Sequence, residues 1–336
     1  FAKGIPMGAV KGYKIYHYIE LTNKGEKQME KPCLIPKPQI YLQRAGYFVK
    51  KAAVSKERMP SGLEAPLAVI WPEVTGTEDT IQFTEKKELQ KEQYVLEITE
   101  EGIEISWGSP AGAFYAVMTL HQLVLFSEGK IACCRIEDFP GLRDRAVMID
   151  ISRGKVPKVE SLKAMIDLLA GLKINQFQLY VEGFSFAYPS FSEVWEKRAK
   201  DYLTPAEIRE LDAYCAERFI ELVPNQNCLG HMNAWLETEA FGHLAENPGG
   251  LQIKGTTLPP ATMDPTNPES LKLIEQMLDD LLPCFHSRMF HADLDETFDL
   301  GYGKNKDKAE KEGVVSIYLD YVKKLSEKVK ARGHNM

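Results

Sequence analysis

The chain lacks any apolar run of the roughly 18–20 residues that a transmembrane helix requires, which argues against a membrane-spanning protein. It also lacks a dense block of basic residues: Lys and Arg number 41 against 48 Asp and Glu, for a net charge of -7. A nucleic-acid-binding surface needs a basic patch, so a nucleic-acid partner is not expected. No internal repeat and no low-complexity segment occurs, and we therefore expect an ordinary folded protein.

The six cysteines show no spacing typical of a disulfide framework; they lie at positions 33, 133, 134, 215, 228 and 284. In a chain of this length, that distribution predicts buried or free thiols in a reducing compartment. The first residues, Phe1-Ala2-Lys3-Gly4, lack an initiator Met and a signal-peptide core. We therefore expect a trimmed or engineered N-terminus, which leaves an original targeting segment open. On this basis a cytoplasmic location is favoured.

The length of 336 residues and the 44% hydrophobic content are sufficient for two domains with large cores. We predict three regions along the chain. They are an N-terminal extension over 1–30, a small α+β domain over 31–142, and the N-terminal half of a (β/α)₈ barrel over 143–336. The predicted fold class is α/β.

The small domain is predicted from a hairpin and a helix. Residues 94–98 and 103–107 alternate apolar and polar side chains on either side of Glu100-Glu101-Gly102, a pattern typical of a β-hairpin. Ser109-Pro110 then supplies a helix cap and a first-turn proline. The following segment, 111–125, carries apolar side chains at helical spacing. This arrangement predicts a small sheet covered by one helix.

After Phe139-Pro140-Gly141 the pattern changes to strands that alternate with amphipathic helices. The near-continuous apolar run over 146–151 is typical of a parallel strand that is covered on both faces. Four strand–helix units indicate a (β/α)₈ barrel or a doubly wound sheet. A closed barrel needs eight strands, so we expect the chain to be a fragment that carries the first half of the barrel. The predicted strands cover 146–151, 177–181, 220–223 and 289–294, and the predicted helices cover 162–169, the segment after a capping box at 204–207, 267–282 and 314–325.

Polar residues follow each predicted strand, at the edge where barrel enzymes carry their catalytic groups. After the fourth strand, three acids occupy four positions: Asp293, Asp295 and Glu296. Crowding and burial raise the pKa of one carboxyl in such a group, which keeps a general acid protonated near neutral pH. Spacing alone leaves three interpretations open: a catalytic pair, a solvated acidic loop, or a metal site that includes Asp299.

Four segments of the chain resemble, in the same order, motifs of glycoside hydrolase family 20, the β-N-acetylhexosaminidases. Residues 290–296, Phe-His-Ala-Asp-Leu-Asp-Glu, resemble its His-x-Gly-Gly-Asp-Glu motif. Residues 224–231 resemble its third-strand Pro-Gly-His segment, and residues 136–153 resemble its passage into the first barrel strand. Residues 94–122 resemble the hairpin and helix that close the small domain preceding the barrel.

The resemblance implies a substrate-assisted mechanism, in which the substrate's own 2-acetamido oxygen attacks the anomeric carbon. Glu296 would protonate the leaving oxygen and then deprotonate the incoming water. Asp295 would hold the acetamido N–H and stabilise the developing positive charge. His231 and His291 would hold the acid Glu296 in position without contacting the substrate themselves. Two inversions at the anomeric carbon give net retention.

The resemblance also implies a sugar-binding set and the partner. Arg153 would hydrogen-bond to sugar hydroxyls, and Glu182 and Asn227 are further candidate substrate-binding residues. The expected partner is a carbohydrate that ends in N-acetylglucosamine or N-acetylgalactosamine. No metal ion and no organic cofactor is expected.

This sequence departs from the family motifs at several positions. Asp293 and Leu294 replace both motif glycines, Asn227 replaces a common acid, and Leu229 replaces a proline. The second strand ends in Val181-Glu182-Gly183-Phe184, without the family's common His and Asp residues. These changes indicate a divergent branch. The tryptophans that sandwich the sugar and the tyrosine that polarises its acetamido oxygen come from later strands, so we expect this chain alone to be catalytically incomplete.

Two other functions are open at this level. One is another acetamido-sugar hydrolase, of the O-GlcNAcase or hyaluronidase type, whose catalytic pair would be two aspartates. The other is a non-catalytic protein that binds N-acetylhexosamine on a decayed barrel, and the loss of both motif glycines is the sequence feature that favours it.

Two smaller motifs also have alternative interpretations. Cys228-x-x-His231, with His243, offers zinc ligands, although a buried thiol beside a packed imidazole is more common. The aromatic residues between 184 and 191 form either a carbohydrate-binding edge or the filling of an irregular loop; they are Phe184, Phe186, Tyr188 and Phe191.

Overall fold

A computed structural model describes residues 32–199 and 201–336. The predicted extension over 1–30 lies outside the described residues. The strands are β1 (Ile40–Phe48), β2 (Ile81–Glu85), β3 (Tyr94–Ile98), β4 (Ile103–Trp107), β5 (Ile131–Asp138), β6 (Ala146–Asp150), β7 (Gln176–Tyr180), β8 (Glu221–Val223), β9 (Leu251–Ile253) and β10 (Thr256–Leu258). The helices are α1 (Glu64–Ile70), α2 (Pro110–Phe126), α3 (Val159–Gly171), α4 (Ser192–Trp195), α5 (Pro205–Ala216), α6 (Asn233–Leu236), α7 (Pro268–Leu281), α8 (Lys306–Glu312) and α9 (Val314–Ala331).

The first part of the described chain is a five-stranded mixed sheet with the strand order β1-β5-β3-β4-β2. The predicted hairpin is confirmed as the antiparallel pair β3 and β4, in which Ile98 lies opposite Ile103. Alternate side chains of β3 are buried because one face of the sheet is covered by α2. Helix α2 is apolar over most of its surface, since it contacts α3 on another side.

The second part contains a three-stranded parallel sheet with the order β6-β7-β8. Helices α3 and α5 connect its strands, as the sequence predicts, and α5 begins with the predicted capping box between Thr204 and Glu207. Helix α7 begins after Asn267, whose side chain accepts a hydrogen bond from the backbone N–H of Glu269. Helix α8 is an element that the sequence analysis did not predict.

The prediction that both faces of β6 are buried is wrong. Ala146, Met148 and Asp150 are exposed, whereas Val147 and Ile149 pack against the core. Strand β6 pairs with β7 and has no second neighbour among the described residues. One face of β6 therefore packs against the core, and the other face is exposed among the described residues.

The prediction of a continuous fourth strand over 289–294 is wrong. The segment keeps its parallel position, because the backbone N–H of His291 donates to the carbonyl of Pro224 at 2.9 Å and Gln226 N–H donates to His291 O at 3.1 Å. Extended structure stops because Asp293 and Glu296 have φ values of 39° and 49°. On the other side of this segment, Met289 forms a parallel bridge with Asn335.

A buried polar cluster joins the mixed sheet to the parallel sheet. Lys173 follows α3, and its Nζ donates to Asp138 Oδ2 at 2.7 Å and to the hydroxyl of Tyr94 at 2.9 Å. That hydroxyl also lies 2.6 Å from Thr119 Oγ1. Burial lowers the pKa of Lys173, although Asp138 opposes this shift. The cluster satisfies a buried ammonium group and links β3, α2 and β5 to the loop before β7.

In the part of the chain that the structure describes, no helix combines the length and the apolar character needed to span a membrane.

Candidate active site

Arg153 lies in a turn that directly follows β6 and is organised by Asp150. Asp150 Oδ1 accepts hydrogen bonds from the backbone N–H groups of Ser152 at 2.8 Å and Arg153 at 3.0 Å, and its other oxygen pairs with the Arg153 guanidinium. Partial burial raises the pKa of Asp150, but these hydrogen bonds outweigh it and the pKa lies below its usual value. The Arg153 side chain is 62% exposed, so its guanidinium remains available to a ligand.

Tyr180, the last residue of β7, connects four candidate residues. The Arg153 guanidinium lies over its ring, 5.0 Å from the ring centre. Its hydroxyl lies 3.5 Å from both Glu182 Oε2 and Asn227 Oδ1. The ring of His231 packs edge-on against it at 6.3 Å between centroids. Burial raises the pKa of Tyr180, which keeps the hydroxyl protonated as a donor.

Asn227 lies beneath this surface and not on it. Its side chain is fully buried, and its amide donates to the carbonyl of Val181 at 2.9 Å. Asn225 accepts a hydrogen bond from the backbone N–H of Val181 at 3.1 Å. The Asn227 amide holds the end of β7 against the segment after β8, and its contact with a substrate stays a prediction.

His231 brings the candidate acids together. Its Nε2 lies 3.4 Å from Glu296 Oε2 and 3.7 Å from Asp295 Oδ2, and its Nδ1 lies 3.8 Å from Glu182 Oε2. The ring itself is mostly buried, since 14% of the side chain is exposed. One imidazole therefore bridges the acidic residue after β7 and the acidic pair at the end of the fourth parallel segment.

Gly230 allows the loop that carries His231 to lie against the loop that carries Asp295 and Glu296. A Cβ atom at this position would lie 2.1 Å from the carbonyl oxygen of Asp295, so only glycine fits between the two loops. The other loop is supported by Tyr318 of α9, whose hydroxyl donates to the carbonyl of Leu294 at 2.9 Å. The backbone of His231 has a φ of 55°, an unusual conformation for a residue with a side chain.

His291 and Asp293 form a separate pair. His291 Nδ1 lies 2.9 Å from Asp293 Oδ1 and 2.8 Å from the Asn225 amide nitrogen. The hydrogen bond to Asp293 raises the pKa of His291. Asp293 is almost fully buried, and its Oδ2 has no hydrogen-bond partner among the described residues. The predicted support from His291 is thus directed to Asp293, and it is His231 that contacts Glu296.

The Asp295 and Glu296 side chains are 60% and 54% exposed. The burial expected to keep one carboxyl protonated is therefore not provided by the described residues. Among the described residues the parallel sheet has only the three strands β6, β7 and β8 and does not close around the pair.

His231, Asp295 and Glu296 offer ligand atoms that all lie within 4.8 Å of one another, a grouping able to hold a metal ion and also common among exposed acids without one. The suggested zinc set does not converge on this point. Cys228 is fully buried, its thiol donates to the carbonyl of Gln226, and burial raises its pKa, which disfavours the thiolate that binds metal. His243 lies 2.9 Å from Glu269 on the exposed side of α7.

The aromatic residues at 184–191 fill a core. Phe186 and Tyr188 are buried, and Trp235 of α6 packs against Phe184, Tyr188 and Phe191 at 4.8 to 5.5 Å between ring centroids. This supports the loop-filling interpretation. Tyr180 and Asp150 belong to the site and were not predicted as site residues from the sequence. Their signal is their position as the last residue of a parallel strand.

This geometry agrees with comparisons to known proteins. Residues 143–336 match the model of glycosyl hydrolase family 20, catalytic domain, and residues 32–139 match that of glycosyl hydrolase family 20, domain 2. The chain belongs to glycosyl hydrolase family 20. The suspected family is thereby confirmed, and both motif glycines lost from the sequence are departures within it.

Similar proteins include beta-hexosaminidases and a lacto-N-biosidase of Bifidobacterium bifidum. The chain is 29% identical over 202 residues to a beta-hexosaminidase of Akkermansia muciniphila, which covers 52% of this chain and 41% of that protein. It is 32% identical over 167 residues to a beta-N-acetylhexosaminidase of Cellulomonas fimi, and the match covers 46% of this chain and 33% of that protein. The chain thus spans less than half the length of these relatives.

Solved structures show the same fold. A family 20 exo beta-N-acetylglucosaminidase of Vibrio harveyi, solved in complex with N-acetylglucosamine, has a TM-score of 0.77 at 22% identity, covering 90% of this chain and 53% of that one. A Streptomyces plicatus N-acetyl-beta-hexosaminidase has a TM-score of 0.71 at 21% identity, and the match covers 90% of this chain and 64% of that one. This family 20 chain has the fold of domain 2 and the catalytic domain, and its described residues form no closed barrel.

Proposed function

We propose that the protein containing this chain is an exo-acting β-N-acetylhexosaminidase, which removes terminal β-linked N-acetylglucosamine or N-acetylgalactosamine with retention. The observation that carries this proposal is the contact of one imidazole, that of His231, with both Glu296 and Asp295 at the C-terminal edge of a parallel sheet. Active sites of barrel enzymes lie at this edge. Membership of family 20 and the hexosaminidase relatives support the same activity.

In this proposal Glu296 donates a proton to the glycosidic oxygen as the bond to the anomeric carbon breaks. The substrate's acetamido oxygen forms the new bond to that carbon, and Asp295 holds the acetamido N–H. Glu296 then takes a proton from water, whose oxygen forms a bond to the same carbon as the bond between that carbon and the acetamido oxygen breaks, and the sugar is released. His231, held between Glu182 and Glu296, keeps the carboxyl of Glu296 in position for both proton transfers.

The geometry favours a Glu–Asp pair over a pair of aspartates. Asp293, the other aspartate of the motif, is buried and paired with His291, whereas Asp295 and Glu296 face His231. A two-aspartate hydrolase would require Asp293 to face the same space as Asp295. Asp293 is held away from it by its own backbone conformation and by the His291 contact.

The replaced glycines do not favour a decayed site. Asp293 has a φ of 39°, in the left-handed region that glycine adopts readily and that Asp tolerates better than most residues. The substitution therefore keeps the backbone conformation expected of a glycine. Asp295 and Glu296, two and three residues further on, keep their common contact with His231.

We further propose that β6, β7, β8 and the segment at 289–292 are the first four strands of a (β/α)₈ barrel. The parallel order and the exposed face of β6 support this arrangement. The bridge between Met289 and Asn335 extends the same parallel order by one position. Residues outside this chain would supply the remaining walls and bury the acidic pair.

The experiment that tests this function compares two substrates with the full-length protein that contains this chain. We expect 4-nitrophenyl N-acetyl-β-glucosaminide to be hydrolysed and 4-nitrophenyl β-glucoside, which lacks the acetamido nucleophile, to be hydrolysed at least about 1000-fold more slowly. Proton NMR of the first product should show the β-anomer. Equal rates for both substrates, or release of the α-anomer first, would contradict the substrate-assisted mechanism.

A further inference from the structure

A buried segment that precedes α7 contacts both loops of the candidate site. We call residues 261–264 the bridging segment. Thr262 and Met263 are fully buried, and Met263 forms an antiparallel bridge with Ala245. The bridging segment has no regular secondary structure of its own, so its position is set by the hydrogen bonds that it makes to its neighbours.

The bridging segment holds the backbone on both sides of His231. Met263 N–H donates a hydrogen bond to the carbonyl of Leu229 at 3.0 Å, and Met232 N–H donates to the carbonyl of Ala261 at 2.9 Å. His231 lies between these two hydrogen bonds and has a φ of 55°. Such a backbone conformation is unfavourable for a residue with a side chain and persists only where surrounding contacts maintain it. The bridging segment supplies these contacts.

Asp299 holds the same bridging segment from the other loop. One oxygen of its carboxylate accepts a hydrogen bond from the Thr262 hydroxyl, and the other accepts hydrogen bonds from the backbone N–H groups of Ala261 and Thr262 at 3.4 Å. Asp299 and Thr262 are both buried, so water does not compete for these hydrogen bonds. Both oxygens of the Asp299 carboxylate are thus used to hold the bridging segment.

A short closed turn connects Asp299 to Glu296, which precedes it by three positions. Leu300 N–H donates to the carbonyl of Thr297 at 3.2 Å, and Tyr302 N–H donates to the carbonyl of Asp299 at 3.1 Å. Because these hydrogen bonds give the turn a defined shape, the position of the Glu296 backbone follows from the position of Asp299.

Glu246, which is fully buried, supports both the turn and the bridging segment. Its carboxylate accepts hydrogen bonds from the backbone N–H groups of Gly301 at 3.1 Å and Asn305 at 3.0 Å. Its own N–H donates to the carbonyl of Thr262 at 2.9 Å, and its carbonyl accepts a hydrogen bond from Lys304 N–H at 2.8 Å. The turn that follows the acidic pair is therefore held to the bridging segment by two buried carboxylates.

We propose that Asp299 and Thr262 are positioning residues, which set the distance between His231 and Glu296 through the bridging segment. They act in addition to the direct backbone contact at Gly230. This inference rests on the proposed hexosaminidase function and adds to it two residues that act through the backbone. Loss of the hydrogen bond between them allows the turn to shift, and Glu296 then donates its proton to the glycosidic oxygen less effectively.

The test uses the full-length protein and two substrates that differ in their need for a general acid, phenyl and 2,4-dinitrophenyl N-acetyl-β-glucosaminide. Dinitrophenolate leaves without a proton, whereas phenolate needs one. The ratio kcat/KM reports the steps up to cleavage of the glycosidic bond, so it measures Glu296 as an acid and not as a base. We expect Thr262→Val, which keeps the side-chain shape and removes the hydroxyl, to lower kcat/KM about 10-fold for the phenyl substrate and less than about twofold for the dinitrophenyl substrate.

Matched variants separate positioning from general stability. Thr262→Ser keeps the hydroxyl and should retain the wild-type kcat/KM for both substrates. Thr119→Val removes another buried hydroxyl, which donates to the carbonyl of Tyr115 in α2, and should leave the ratio of the two kcat/KM values unchanged. Asp299→Asn replaces one acceptor oxygen with an amide donor at the same size. It should show the same selective loss as Thr262→Val and decides the question if that variant does not fold.

Three outcomes overturn the inference and can be told apart. Equal losses of kcat/KM for both substrates in Thr262→Val and Asp299→Asn would show that their hydrogen bond has only a structural role. Wild-type kcat/KM for both substrates in these variants would show that the hydrogen bond does not position Glu296. Either result leaves the proposed function standing, whereas failure of the wild type to hydrolyse either substrate would remove the proposed function and this inference with it.

Discussion

The α-carbon of Gly230 and the carbonyl oxygen of Asp295 are so close that a Cβ atom on Gly230 would lie 2.1 Å from that oxygen. Two loops that are 65 residues apart in the sequence therefore touch through their backbones, one carrying His231 and the other carrying the acidic pair. The contact sets the distance of 3.4 Å between His231 Nε2 and Glu296 Oε2.

A Gly230→Ala substitution should separate these loops. Because the added Cβ would contact backbone and not a flexible side chain, the pair must shift, and a displacement of about 1 Å can cost about 100-fold in turnover. We expect a fall in kcat of roughly that size in the full-length protein, measured with 4-nitrophenyl N-acetyl-β-glucosaminide.

The matched control for this substitution is Gly171→Ala at the end of α3, where an added Cβ meets nothing within 4 Å. It should leave kcat within about twofold. If both variants keep wild-type kcat, the backbone contact at Gly230 does not position the acidic pair.

Lys173→Met should destabilise the chain through the buried cluster that joins the two sheets. The substitution leaves Asp138 buried and without its charged partner, for an expected loss of about 3–5 kcal/mol in the free energy of unfolding. The measurement is equilibrium urea unfolding followed by tryptophan fluorescence. The double variant Lys173→Met, Asp138→Leu should recover a large part of the loss, because no unpaired charge remains.

Lys308→Met is the control for this prediction, since Lys308 and Glu312 form an exposed i,i+4 pair on α8. Such pairs contribute about 0.3–0.5 kcal/mol. Equal losses in the Lys173 and Lys308 single variants would mean that the buried cluster adds no more to stability than a surface ion pair.

His121 should make stability depend on pH below neutrality. Its ring stacks on Trp71 at 4.9 Å between centroids, and burial lowers its pKa to about 4, although Glu73 opposes the shift. In the unfolded chain the pKa is about 6.5, so the unfolded state binds more protons between pH 6.5 and 4. Stability from this group is complete above pH 6.5 and is lost as the pH falls toward 4, by on the order of 3 kcal/mol.

His121→Phe keeps an aromatic ring on Trp71 and removes the titrating group. We expect the free energy of unfolding of this variant to change less between pH 7 and pH 4.5 than that of the wild type. Leu142→Ala, at an exposed residue that does not titrate, should keep the wild-type pH dependence. An unchanged dependence in His121→Phe would show that the ring is not held neutral by burial.

Local patterns determined much of the fold and could be recognised in the sequence. The hairpin of β3 and β4 follows from its alternation, and α5 begins where Thr204 and Glu207 form a capping box. The exposure of one face of β6 could not be predicted in this way. An apolar run indicates that a strand is suited to burial, but which residues cover it depends on other parts of the fold.

The sequence predicts which residues belong to the candidate site better than it predicts the contacts between them. Glu296, Asp295 and His231 follow from the resemblance, and the structure brings them together. The turn of Asp293 away from Asp295 depends on a positive φ that strand alternation does not anticipate. The burial of Asn227 depends on its hydrogen bond to Val181, a residue 46 positions away.

The measurement that most directly tests the role of Glu296 is the turnover of 4-nitrophenyl N-acetyl-β-glucosaminide by the full-length protein and its Glu296→Gln variant across pH 4–8. Gln keeps the shape of the side chain and cannot exchange a proton, so kcat should fall by about 100- to 10,000-fold, with a smaller fall in Asp295→Asn. A Glu296→Gln variant that keeps wild-type turnover would contradict the assignment of Glu296 as the general acid and base.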